Sequence, residues 1–303
     1  MFSIAHMTLG CALIALVAMG NPALIPDAAA QTSIWVDHGL PDAVRAGESD
    51  LEPFFPDARY DPSIPSPQDA LGFPMGARPV RHQEVMAYLE TLADVSPHVR
   101  LIPYGKSHEG RILVVAVITS ESNMARLEEI RKDLALLADP RESNPPPVND
   151  LPLCVWAGCC VHGDETSSTD AALAIAYHLA ACRDPEVAEL RDNLLILLDP
   201  LQNPDGRERI LAHWESLAGR IPDGDDQSLR HLGLWPGGRT NHYLFDLNRD
   251  WFLATQPETY AKLRLVTSWN PQLIIDAHEM NGQSTYLFSP PREPFNPLVT
   301  DQQ

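Results

Sequence analysis

The run Leu151-Pro152-Leu153-Cys154-Val155-Trp156-Ala157-Gly158-Cys159-Cys160, followed by Val161-His162-Gly163-Asp164-Glu165, decides the reading of this chain. An apolar run of that length reads as a buried strand, and Ser167 to Ala181 behind it repeats apolar residues at helical spacing. His162 and Glu165 therefore stand at the carboxyl end of a strand, on the turn into a helix, which is where ligands bind in open α/β sheets. An imidazole and a carboxylate so placed can converge on one divalent cation. Two ligands do not make a site, so the reading depends on a third.

Working outward, Asn193 to Leu198 and Leu273 to Asp276 read as further buried strands, the second running into Ala277-His278-Glu279. Upstream, Arg81 to Leu92 is helical, and Val99 to Tyr104 and Ile112 to Thr119 are strands rich in β-branched and aliphatic residues. The two glycines of Gly105-Lys106-Ser107-His108-Glu109-Gly110-Arg111 make that connection a hairpin. Met124 to Leu137 is an amphipathic helix stopped at Asp139-Pro140, and Pro257 to Trp269 is another helix. Residues 203–241, rich in Gly, Pro, Asp and Arg, read as a long loop region of the kind that often carries function. The acidic cluster Asp223-Gly224-Asp225-Asp226 lacks the rest of a calcium loop and reads as an exposed turn. The order of elements predicts an α/β domain with a mixed, largely parallel sheet.

The chain has 303 residues, 44% of them hydrophobic, enough for a sizeable core. A net charge of −19 argues against nucleic acid or an anionic membrane as the main partner. Residues 1–30 read as an export signal, with an apolar stretch from Thr8 to Met19 and Ala28-Ala29-Ala30 before Gln31. Asn21 and Pro22 break that stretch, which leaves it too short for a membrane anchor. A secreted or periplasmic location follows. Residues 31–76, rich in Pro and Asp but carrying Trp35, Phe54, Phe55, Tyr60 and Phe73, read as an extended segment laid over the surface of a domain at 77–303. Cys154, Cys159, Cys160 and Cys182 read as small core residues.

His278 supplies the third ligand. Two apolar strands each ending in histidine, one followed by a glutamate three positions on, give a His₂Glu set. Such a set leaves one position of a zinc ion open to water, which is the catalytic arrangement rather than the closed structural one.

With these motifs the sequence resembles the zinc carboxypeptidase family, from about Arg78 to the C-terminus. Gly105 to Arg111, His162-Gly163-Asp164-Glu165, Asn203-Pro204-Asp205-Gly206, Asp246-Leu247-Asn248-Arg249-Asp250-Trp251 and Asp276-Ala277-His278 follow one another in the family's order. The resemblance implies a mixed eight-stranded sheet with helices on both faces. It implies one zinc held by His162, Glu165 and His278. Asn248 and Arg249 would receive a substrate carboxylate, and Arg239 would steady the oxyanion, with Arg207 and Arg209 as rivals for that role. The implied activity is hydrolysis of a peptide bond next to a free C-terminal carboxylate by zinc-activated water.

Two departures qualify it. Asp164 stands where family members that trim protein C-termini commonly carry arginine, which points to a short, modified or cell-wall peptide as substrate. The family's general-base glutamate lies well past the third ligand, and neither Glu279 nor Glu293 fits that role. The expectation is an N-terminal part of a longer protein, whose present sequence binds zinc without turning over. Two other readings stay open: a non-catalytic zinc or peptide-binding protein, and a zinc amidohydrolase acting on small acylated amino acids.

Overall fold

A computed structural model of the chain describes residues 55–139, 141–219, 225, 227–231 and 235–280. The expected export signal at 1–30, most of the acidic cluster at 223–226, and Glu293 lie outside these residues. Apart from Gly219, the described residues belong to one unit made of Glu48–Ala218 and Gly224–Gln303.

One sheet organises them. Its strands are β1 (Val99–Lys106), β2 (Ile112–Ile118), β3 (Leu153–Gly158), β4 (Leu194–Asp199) and β5 (Leu273–Asp276), in the order β1-β2-β4-β3-β5. β1 and β2 form the expected hairpin, and β2 also lies antiparallel to β4. β3 runs parallel to β4 on one side and to β5 on the other. The sheet is mixed, as expected, but its pairings divide evenly between parallel and antiparallel instead of being largely parallel. The direction of β2 against β4 is a tertiary fact that strand composition does not encode. Among the described residues the sheet has five strands, not the eight that the resemblance implies.

Alternate residues of each strand point to opposite faces, and this sequence is apolar on both. Val114, Ala116, Ile118 and Leu198 face one core, packed against α2 (His82–Val95) and α5 (Ser167–Ala181). Val115, Val117, Cys154, Trp156, Leu195 and Leu197 face the other, packed against α4 (Leu127–Ala138) and α8 (Pro257–Trp269). Helices therefore cover both faces. Leu89, Leu92 and Leu173 are wholly buried, and each such side chain contributes about 1.5–3 kcal/mol through removal from water. The alanines of α5 favour helix, and their small side chains let it lie close to the sheet.

Several boundaries differ from expectation. Residues 203–241 are not all loop: Pro204–Ser216 is a helix, α7, capped by Asn203 and started by a proline. The helix expected from Met124 to Leu137 breaks at Arg126 into α3 (Glu121–Ala125) and α4. α6 (Pro185–Asn193) precedes β4 and carries the same proline signal. Before the sheet, α1 (Pro67–Leu71) starts from a Ser66 capping box. There Phe55 stacks on His178 with ring centroids 3.7 Å apart, and Ile64 and Phe73 join the first core. The four described cysteines are free and buried. Burial pushes the Cys154 and Cys159 thiols up to about 12.

The topology brings three carboxyl ends together. Gly158 of β3 is in register with Asp199 of β4 on one side and Asp276 of β5 on the other.

Candidate metal centre

Beyond Gly158 the chain turns sharply. The Cys159 N–H donates to the Asp199 carbonyl, and Cys160 adopts a φ of 55°, a left-handed conformation uncommon outside glycine. The turn seats His162, only 3% exposed, and closes with the Glu165 N–H donating to the His162 carbonyl at 3.1 Å. β5 then delivers His278 from the neighbouring strand.

Both histidines converge on one carboxylate. His162 Nδ1 lies 2.6 Å from Glu165 Oε1, and His278 Nδ1 lies 2.9 Å from Glu165 Oε2. The candidate ligand atoms of the three residues all fall within 4.8 Å of one another. Each ring turns its other nitrogen to an aspartate. His162 Nε2 is 3.1 Å from Asp246 Oδ1, and His278 Nε2 is 3.0 Å from Asp276 Oδ2. A carboxylate behind each imidazole holds the ring orientation and leaves Nδ1 facing the shared glutamate. Two imidazoles and one carboxylate match the donor set of a catalytic zinc site. The residues fit the metal.

The electrostatics follow from this geometry. Burial opposes charge on His162, but the hydrogen bond and charge of Glu165 outweigh it and hold its pKa above the usual histidine value. Burial likewise opposes charge on Glu165. Hydrogen bonds from His162, His278 and the Glu279 N–H win, holding its carboxyl below the usual range. Asp164 is exposed beside the ligands, and desolvation together with the Glu165 charge raises its carboxyl.

The three arginines separate by surroundings. Arg239 is 46% exposed, pairs with Asp246 at 3.0 Å and reaches within 4.0 Å of Glu165 Oε1. It stands half exposed beside the three candidate ligands, with its Nη1 3.4 Å from His162 Nδ1. Arg207 is wholly buried, donating to the carbonyls of Val80 and Thr166 and to Asp170. It braces the metal turn from behind and has no access to a substrate. Arg209 donates to the carbonyls of Gly237, Thr240 and Asn241, steadying the loop that carries Arg239. Asn248 and Arg249 lie on a short 3₁₀ turn, Leu247–Arg249, capped by Asp246. Trp251 Nε1 donates to Asn248 Oδ1, which orients the Asn248 amide nitrogen to 3.0 Å from His278 Nε2. Arg249 is exposed and makes no ion pair among the described residues; its Nη1 donates to the Asn248 carbonyl at 2.9 Å.

Glu279, next to His278, is already engaged. Its carboxylate accepts from the Ser167 N–H and hydroxyl at the start of α5, where Thr166 offers no side-chain cap.

Sequence reasoning missed the aspartates behind the histidines, although both stand in the quoted motifs. It also missed a buried ionic cluster beneath the centre. Asp199 is wholly buried and accepts from the Tyr104 hydroxyl at 3.0 and 3.1 Å. Lys262, 2% exposed, donates to Gln202 Oε1 at 2.8 Å and sits 3.9 Å from the Trp251 ring centroid.

A family model described as zinc carboxypeptidase matches residues 85–298. Among solved structures the chain is similar to carboxypeptidase A from Helicoverpa armigera, with a TM-score of 0.48 and 18% identity over 85% of this chain and 54% of that one. It is also similar to a metallo-carboxypeptidase from Burkholderia cenocepacia, with a TM-score of 0.43 and 18% identity over 66% of this chain and 41% of that one. A metallo-carboxypeptidase from Pseudomonas aeruginosa, solved with (2-guanidinoethylmercapto)succinic acid, gives a TM-score of 0.39 and 18% identity over 66% and 40%. The chain thus spans about half or less of the length of these proteins. No curated protein matches it.

Proposed function

This chain belongs to the zinc carboxypeptidase family, and from that premise we propose that it is a zinc-dependent hydrolase of peptide bonds adjoining a free C-terminal carboxylate. The observation that carries the proposal is the convergence of His162 Nδ1 and His278 Nδ1 on the two oxygens of Glu165.

His162, Glu165 and His278 would hold one zinc ion per chain. When bound, the metal supplies a Lewis acid for the scissile carbonyl and lowers the pKa of a coordinated water. The residues around it divide the remaining work. Asp246 and Asp276 lie against each Nε2 and would leave Nδ1 of both rings to hold the cation. Arg239 places a permanently charged guanidinium beside the ligands, where a developing oxyanion gains a few kcal/mol from a well-placed donor. Arg249 and Asn248 would take the substrate carboxylate, a role that suits a planar, exposed fork that makes no ion pair among the described residues. Glu165, Asp246, Asp276 and Glu279 each already hold a partner within the site. Asp164, on the exposed rim, would disfavour anionic groups near the ligands and so narrow the peptides accepted.

We further propose that the chain is exported, on the strength of the apolar stretch and small-residue site within residues 1–30. Among the described residues, no helix is long and apolar enough to cross a membrane.

The test is elemental analysis of the purified, dialysed chain, followed by assays on peptides with free or amidated C-termini and on acylated amino acids. One zinc per chain with cleavage of free-ended peptides supports the reading. No zinc in a chain shown to be folded refutes it. Cleavage of acylated amino acids alone would move the substrate class to small amides.

A further inference from the structure

Three backbone segments meet behind the centre without side chains between them. A Cβ on Gly163 would fall 2.2 Å from the Arg207 nitrogen and 2.6 Å from the Gly238 carbonyl oxygen. A Cβ on Gly206 would fall 2.3 Å from the Gly238 oxygen and 2.5 Å from the Thr240 oxygen. The metal turn, the start of α7 and the loop carrying Arg239 are therefore in backbone contact, and one side chain joins all three. Asn203 is wholly buried. Its Nδ2 donates to the Val161 carbonyl at 3.2 Å and to the Arg239 carbonyl at 3.1 Å, while its Oδ1 accepts from the Gly206 N–H at 3.0 Å. Its own N–H donates to the Cys160 carbonyl at 3.1 Å. Both amide hydrogens are thus committed, one to the residue before His162 and one to Arg239 itself.

We propose that Asn203 is a positioning residue that locks the ligand-bearing turn to the Arg239 loop, setting the guanidinium at a fixed place beside the ligands. A helix cap alone requires only the Oδ1 acceptor, which serine also offers. The second function resides in Nδ2, and no hydroxyl can reproduce two donations from one nitrogen. The inference rests on the reading of His162, Glu165, His278 and Arg239 given above.

Asn203→Ser separates the two functions, because it keeps a cap for the Gly206 N–H and removes both clamp bonds. Asn203→Asp keeps the side-chain size and the cap while replacing the donors with an acceptor, and serves if the serine variant does not fold. Zinc affinity is measured by chelator competition well below the melting temperature. Residues that orient metal ligands typically change affinity or activity by roughly 10–100-fold, so zinc binding weaker by about ten-fold is expected. A lowered melting temperature with unchanged zinc affinity would leave Asn203 a structural cap and overturn the inference alone. Failure of the unsubstituted chain to bind zinc would overturn the metal-centre reading, and the inference with it.

Discussion

Asp199→Asn tests the electrostatics beneath the centre. Asp199 is wholly buried at the end of β4. Burial drives its carboxyl up to about 7, although the Tyr104 hydroxyl and the Lys262 charge both act to lower it. Lys262 is displaced the other way, because burial lowers its pKa despite the carboxylates around it. An aspartate in the unfolded chain titrates near 3.9, so the folded value lies roughly three units higher and each unit corresponds to about 1.4 kcal/mol. A raised folded pKa contributes stability that is complete below about pH 4 and lost as pH climbs through about 7. Asparagine cannot ionise and escapes that loss. From pH 4 to pH 8 the stability of Asp199→Asn relative to the parent should therefore shift in the variant's favour by up to ~4 kcal/mol. A pH-independent offset of about 1 kcal/mol against the variant is expected, because an amide NH₂ replaces one of the oxygens that accept from Tyr104. Urea unfolding midpoints of both proteins across this range, with chelator present, measure the shift. Parallel profiles, or a gap that widens in the parent's favour as pH rises, would mean that Lys262 compensates the buried carboxylate fully and would refute the reasoning.

His278→Ala removes one of three protein ligands and should abolish tight zinc binding in a dialysis experiment; stoichiometric zinc in the variant would place the metal elsewhere. Arg249→Ala should weaken binding of peptides with a free C-terminus while leaving amidated analogues unaffected, and an equal loss on both would deny Arg249 the carboxylate. If residues 1–30 are an export signal, mass spectrometry of the exported protein should find Gln31 first, and an intact Met1 would reject export processing there.

How much of the fold the sequence reveals depends on how each segment is buried. α5, α8 and β5 have the bounds that periodicity predicts, Ser167–Ala181, Pro257–Trp269 and Leu273–Asp276, because each is punctuated by turn residues; α5 and α8 bury apolar side chains, whereas Leu273, Ile274 and Ile275 of β5 are exposed rather than buried as their composition suggests. α7 escaped notice because its first turns bury polar groups. Asp205 and Arg207 are fully enclosed, and each is matched by specific partners: Ser107 and Arg111 for the acid, Val80, Thr166 and Asp170 for the base. A hydrophobic pattern cannot register a helix whose inner face is satisfied by ion pairs and carbonyls. The Asn203-Pro204 pair was the available signal, since a capping residue before proline marks a helix start.

The site divides along the same line. His162 and His278 stood out in the sequence because each follows an apolar strand, where an imidazole has few structural reasons to be, and Glu165 because it stands three positions after His162. Asp246 and Asp276 were not legible in their roles, because aspartate beside a turn is also the ordinary choice for capping one. Asp246 does both, accepting from the Asn248 N–H at 2.9 Å while it orients His162 and pairs with Arg239. The choice among Arg207, Arg209 and Arg239 could not be made from spacing either. It turns on whether each guanidinium's donors are spent on backbone carbonyls, and only Arg239 is half exposed with a carboxylate holding one edge. What a sequence conceals here is the allocation of hydrogen bonds, and that allocation separates residues that would meet substrate from those that hold them in place.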